Sequence, residues 1–154
     1  MTAREYFVRL SDEVRELEKR KADAREMREQ IGVKGQSFGS IGSGGSAKNA
    51  MGPVDRVVDV ERQIELDQAK LDLELEQATT ILYGRSGRGG LAKERGSTTA
   101  DIICCHYLQL MTYAEIAKSV DLPKSRDPVH WCMMRAHRAL EYIDRIGAAT
   151  LADS

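Results

Sequence analysis

Residues 112–146 read TYAEIAKSVDLPKSRDPVHWCMMRAHRALEYIDRI. Thr112 and Glu115 stand three positions apart at the beginning of this stretch. This is the spacing of a capping box, in which each side chain accepts a hydrogen bond from the backbone N–H of the other residue. A short apolar repeat follows, and Pro123 cannot continue the helix. The stretch therefore predicts a short amphipathic helix that ends before Pro123.

A longer helix is predicted after a turn at 121–125. Ser125 or Asp127 can be its N-cap, and Pro128 is tolerated in its first turn. At 100° per residue, one face is apolar and predicts the core: Val129, Cys132, Met133, Ala136, Leu140 and Ile143. The flank and the opposite side carry His130, Trp131, Met134, Arg135 and Arg138. A short helix, a tight turn and a longer helix with exposed basic groups predict a helix-turn-helix, whose second helix enters the major groove of DNA.

A further helical pattern precedes these two helices. Thr98 or Thr99 can cap it, and it ends near Leu110. The predicted helix-turn-helix region therefore covers 98–146, and residues 147–154 are predicted to form a tail. His106 and His137 within this region are typical of core or interface positions.

Two long amphipathic segments lie upstream. Apolar residues recur every three or four positions over 3–31 and over 53–83, whereas the glycines and serines of 32–52 predict a flexible loop without a nucleotide site. We expect an all-α fold, in which a long antiparallel helical hairpin over 1–83 precedes the C-terminal helix-turn-helix. Leu66 and Leu73 lie off the main stripe. The hairpin therefore either packs as a simple core or joins two chains in a homodimer.

Charge is divided unevenly along the chain. Residues 53–80 hold eight acids and three bases, whereas 85–145 hold ten bases and seven acids, although the net charge of the whole chain is −1. Residues 84–97 predict a basic, glycine-rich linker, which either follows DNA phosphates or is a solvated hinge. This division favours a DNA-binding end attached to another element.

The C-terminal motif resembles region 4 of sigma-70-type factors. The resemblance rests on YAEIA at 113–117, SRDPV at 125–129 and RAHRAL at 135–140. The order of elements, with VDRV at 54–57 opening an acidic helix, is similar to that of phage-encoded regulators of the ArpU/RinA type, which are linked to late genes for packaging and lysis. The resemblance implies sequence-selective binding of double-stranded DNA to control transcription. Pro128 and Trp131 depart from the family pattern, so it implies no base preference.

The resemblance also implies roles for side chains near the start of the second helix. Those expected to face the bases are Arg126, Asp127, His130 and Trp131, and those expected to contact phosphates are Lys124, Ser125, Arg135 and Arg138. Alternatively, Ser125 and Asp127 act only as helix caps, and Trp131 packs on a neighbouring helix.

The remaining features argue against other classes of protein. Cys104, Cys105 and Cys132 form no disulfide framework, which fits a reducing cytoplasm. The resemblance to phage regulators implies that this is the cytoplasm of a bacterial host cell. No apolar run approaches the roughly 20 residues of a membrane span, and no secretory signal opens the sequence. The cysteines and histidines lack zinc-ligand spacing and a third group that would orient a catalytic histidine. We therefore expect no metal, no cofactor and no enzymatic activity.

Two other roles fit the same pattern. A phage packaging or assembly protein would use the helix-turn-helix to place a DNA-packaging complex, with the hairpin as its assembly surface. A sigma-like module would bind RNA polymerase instead of DNA, with Trp131 as a contact residue.

Overall fold

The computed structural model of the chain describes residues 1–35 and 52–154, and within these ranges it contains only helices and their connections. The predicted all-α class is therefore confirmed. The first two helices are α1 (Ala3–Gly35) and α2 (Pro53–Tyr83). Helix α1 is four residues longer than predicted. The rest of the predicted Gly/Ser loop, 36–51, lies outside the described residues.

The described chain forms two compact units. The terminal unit combines Met1–Arg15 with Leu71–Ser154, and the middle unit is Glu16–Lys70. This division differs from the predicted boundary at residue 83, because the outer ends of both long helices belong with the C-terminal third. Phe7 and Leu82 are both fully buried in the terminal unit, and the ring of Phe7 lies 5.8 Å from that of Tyr107. The hairpin prediction had the apolar stripes of the two long helices cover each other, whereas in the terminal unit Phe7 of α1 also lies near Tyr107 of the C-terminal third.

The middle unit pairs parts of α1 and α2. Its buried apolar side chains are Leu17, Ala24, Val57 and Ile64. Arg20 donates a hydrogen bond of 2.7 Å to Asp67, and Arg28 forms an ion pair with Glu61. Going along α1 from Arg20 to Arg28, the partner on α2 changes from Asp67 back to Glu61. The two segments therefore run antiparallel within this unit.

Five shorter helices lie in the terminal unit: α3 (Gly90–Arg95), α4 (Ser97–Ile103), α5 (Tyr113–Ser119), α6 (Pro128–Ile146) and α7 (Ala148–Asp153). One π-helical turn, Cys104–Leu108, continues α4. Thr98 and Thr99 were candidate N-caps for this helix, but Gly96 occupies the cap position. The Thr99 hydroxyl instead donates to the Arg95 carbonyl at 3.0 Å.

The predicted linker at 84–97 and the predicted tail at 147–154 are both structured. Helix α3 and the start of α4 lie inside the former, and α7 occupies most of the latter, with Leu151 fully buried. The Gly90 N–H donates to the Ser154 hydroxyl at 2.8 Å. A Cβ on Gly89 would lie only 2.0 Å from the Ser154 carbonyl oxygen. The glycines here therefore allow close backbone packing, where the composition predicted a hinge.

Candidate nucleic-acid interface

The capping box predicted at the start of α5 is present. The Thr112 hydroxyl accepts a hydrogen bond from the Glu115 N–H at 3.2 Å, and the Glu115 carboxylate accepts one from the Thr112 N–H at 3.4 Å. Ile116, on the inner side of α5, is fully buried. These interactions fix where α5 begins and which face it turns toward the core.

The connection between α5 and α6 is longer than the predicted tight turn. Val120 adopts an extended conformation directly after α5, and α6 does not begin until Pro128. The connection therefore covers residues 120–127, whereas the turn of a helix-turn-helix has about three to four residues. Asp127 caps α6, two residues after the other candidate, Ser125, and this accounts for two residues of the difference.

Asp127 and Ser125 both act on the local backbone. The Asp127 carboxylate accepts a hydrogen bond from the His130 N–H at 3.0 Å, which makes Asp127 the N-cap of α6. The Ser125 hydroxyl accepts one from the Asp127 N–H at 3.3 Å. The capping alternative for these two residues is thus present in the structure. It positions the exposed side chains of Arg126 and His130 on either side of the cap.

Helix α6 buries one face and exposes the other. Four of the six predicted core residues are buried, namely Cys132, Ala136, Leu140 and Ile143, together with Ala139. Two predictions were wrong: Val129 is 41% exposed and Met133 is only half-buried. Val129 lies in the first turn of α6, where the preceding connection does not cover it. The core contact of α6 therefore begins at Cys132.

Of the eight predicted site residues, seven are exposed: Lys124, Ser125, Arg126, Asp127, His130, Arg135 and Arg138. The eighth, Trp131, is half-buried. Within the described part of the chain, no ion pair involves Lys124, Arg126 or Arg138. The positive charges of these three side chains are therefore not paired with a carboxylate of the described residues. A surface that binds phosphates needs such unpaired charges.

Trp131 and Arg135 form a local cluster with Thr99. The Arg135 guanidinium lies over the Trp131 ring, 5.2 Å from its centre. The Arg135 Nε donates to the Thr99 hydroxyl at 3.0 Å, and Thr99 is buried in α4. These contacts restrict the side chain of Arg135. The sequence singled out Thr99 only as a candidate cap, since nothing in its local pattern indicates a contact 36 residues away.

His106 and the three cysteines of this region are half-buried or buried. The His106 ring stacks on Tyr113 at 4.0 Å, and its Nδ1 donates to the Met111 carbonyl at 2.8 Å, in agreement with the predicted core or interface role. Burial raises the pKa of the thiols of Cys104, Cys105 and Cys132, which disfavours the reactive thiolate. Among the described residues, no group of three His, Cys, Asp or Glu side chains is arranged to hold a metal ion. No helix over 1–35 or 52–154 is both long and apolar enough to cross a membrane.

Comparison of the chain with protein-family models, with curated proteins and with solved structures gave no match.

Proposed function

We propose that the protein is a sequence-selective, double-stranded DNA-binding regulator of transcription, and that α6 is its recognition helix. The observation that carries the proposal is the exposed surface at the start of α6. There, the exposed Lys124, Arg126 and His130 lie next to a helix whose other side is an apolar core face. A helix anchored along one side, with polar and basic groups on the other, has the composition of a helix that reads the major groove.

The proposed contacts divide by chemistry. Arg126 carries a planar guanidinium, which can donate two hydrogen bonds to the O6 and N7 atoms of a guanine. His130 and Trp131 follow in the first turns of α6 and are proposed to face neighbouring bases. Lys124 and Arg138 are proposed to hold phosphates, which fixes the register of the protein on DNA without reading sequence.

Replacing Arg126 with alanine is expected to weaken binding to the preferred duplex by about 1–3 kcal/mol, which is roughly 5- to 160-fold, and to reduce discrimination between duplexes. Fluorescence anisotropy with labelled DNA from the neighbouring genomic region, and with random duplex DNA, measures both quantities. Arg15→Ala is a matched control, because it removes the same charge from an exposed arginine of α1 that pairs with Asp12. Equal losses in the two variants would contradict a base-reading role for Arg126. The absence of wild-type binding to either duplex at low salt would overturn the proposed function.

The resemblance to phage regulators supports a narrower proposal, control of phage or prophage late genes. The packaging and polymerase-binding alternatives make different predictions for the same protein. A packaging role is favoured if variants at Arg126 abolish DNA packaging while transcription is unchanged. A polymerase-binding role is favoured if Trp131→Ala removes polymerase binding while the affinity for DNA is retained.

We also propose that α2 joins two chains in a homodimer. Leu66 and Leu73 lie on the side of α2 away from its buried stripe, and they are 55% and 63% exposed. Val58, on the flank between these two sides, is also exposed. Exposed leucines seven positions apart on one side of a helix offer apolar surface that a second chain can cover. Sedimentation equilibrium of the full chain is expected to give twice the mass of 17.1 kDa. A single-chain mass at micromolar concentration would contradict the proposal.

A further inference from the structure

One face of α6 carries aromatic rings and arginines along most of its length. Its members are Trp131, Arg135, Arg138, Tyr142 and Arg145. Successive members are four, three, four and three residues apart, so all five lie on one side of an α-helix. We call this set the arginine stripe. At about 1.5 Å per residue it is about 21 Å long, which exceeds the roughly 12 Å width of a B-DNA major groove.

The far end of the arginine stripe is joined by an arginine from a second helix. The Arg145 guanidinium lies 5.2 Å from the centre of the Tyr142 ring, and the guanidinium of Arg95, the last residue of α3, lies 5.1 Å from it. The Tyr142 hydroxyl donates to the Glu94 carboxylate at 3.5 Å. Two helices thus place a guanidinium against one tyrosine.

This arrangement suits the binding of phosphate. A guanidinium that contacts an aromatic face retains in-plane N–H donors, and these match the oxygens of a phosphate. Within the described residues, Arg95, Arg138 and Arg145 are not in ion pairs, whereas Arg9, Arg20 and Arg28 each pair with a carboxylate of α2. The ring of Tyr142 restricts the two arginines before any ligand binds, which reduces the entropy lost on binding.

We infer that Arg95 and Arg145 form a second contact surface, which continues the phosphate contact proposed for Arg138 and binds the phosphate backbone of double-stranded DNA beyond the groove that Arg126 reads. The inference rests on the proposed function and assigns a ligand to the distal half of α6. Its contacts go to phosphates alone, so this surface adds affinity and salt dependence without sequence preference. Tyr142 acts as a positioning residue for Arg95 and Arg145.

The test is a titration of the full-length protein with the two duplexes at several salt concentrations, comparing wild type with Arg95→Ala and Arg145→Ala. Each variant is expected to bind both duplexes about tenfold more weakly, the loss typical of one charge-assisted hydrogen bond. The plot of log K against log salt concentration is expected to become shallower by about 0.9 per variant. The ratio of affinities for the two duplexes is expected to stay unchanged, in contrast to Arg126→Ala.

Two further variants separate phosphate binding from a structural role. Glu94→Gln removes a negative charge beside the arginines but keeps an acceptor for the Tyr142 hydroxyl, so binding to both duplexes is expected to tighten. Arg145→Lys keeps the charge, and the salt slope is expected to remain near that of the wild type. If the wild type binds DNA but the slopes of Arg95→Ala and Arg145→Ala equal that of Arg15→Ala, the second surface is wrong and the proposed function stands. If the wild type binds neither duplex, both are overturned.

Discussion

Replacing Gly90 with alanine is expected to lower the free energy of unfolding of the terminal unit by about 3 kcal/mol. Gly90 has a φ of +62°, where an L-residue costs about 1–2 kcal/mol more than in its ordinary conformation. A Cβ at this position would lie 2.6 Å from both the Gly84 nitrogen and the Ile81 carbonyl oxygen. Both neighbours are backbone atoms, so the overlap is not relieved by rotating a side chain. Overpacking of this kind typically adds about 1–3 kcal/mol.

Urea denaturation followed by tryptophan fluorescence measures this effect, because Trp131 is the only tryptophan of the chain and lies in the terminal unit. Gly87→Ala is the matched control. Gly87 also has a positive φ, +74°, but no atom lies within 4 Å of the Cβ that alanine would add there, so only the backbone cost of about 1–2 kcal/mol is expected. If both variants unfold at the same urea concentration, the close packing of α2 against Gly90 is wrong.

Replacing Phe7 with alanine is expected to destabilise the same unit by about 3–5 kcal/mol, the usual loss for a buried aromatic side chain. Phe7 is fully buried near the N-terminus of α1. It lies against Tyr6 at 5.3 Å and against Tyr107, in the π-helical turn after α4, at 5.8 Å. The variant leaves a cavity under the helices that precede α5 and α6. The fluorescence of Trp131, which lies 124 positions away in sequence, is therefore expected to report the loss.

Val8→Ala controls for the position in α1, because Val8 is 41% exposed and its truncation is expected to change stability by no more than about 0.5 kcal/mol. If the fluorescence of Trp131 shows the same urea midpoint for Phe7→Ala and Val8→Ala, the N-terminal residues fold independently of α6. In that case the predicted domain boundary at residue 83 would describe the molecule better than the terminal unit does.

Sequence patterns predicted those parts of the candidate site that depend on residues close together in the chain. The capping box of Thr112 and Glu115, an N-cap at Ser125 or Asp127, and most of the buried face of α6 all follow from residues within one or two helical turns. The exposure of Val129 and the length of the 120–127 connection were not predicted. The apolar periodicity shows which residues share a helix face, but it does not show at which residue the helix begins or which of its turns are covered. Ser125 and Asp127 both suit an N-cap, and the apolar periodicity does not choose between them.

The glycines illustrate a limit of composition. A run of Gly and basic residues at 84–97 is typical of a hinge, and the same glycines also permit contacts that no Cβ would allow. Their role is decided by the C-terminal end of the chain, where Ser154, directly after α7, reaches Gly89 and Gly90. A flexible linker and a tightly packed turn therefore have the same glycine-rich composition. They can be distinguished only by whether another segment, here Ser154, packs against the glycines.

The helical class, the bounds of α2, the capping box of α5 and the apolar side of each long helix follow from the sequence alone, because these depend on periodicity and on interactions between residues a few positions apart. The tertiary structure decided which elements share a core and which charges remain unpaired among the described residues. Phe7 packs near Tyr107, Thr99 holds Arg135, and Arg95 joins Arg145 at Tyr142. These partners are far apart in sequence, and their contacts form only when the burial of apolar surface brings distant helices together.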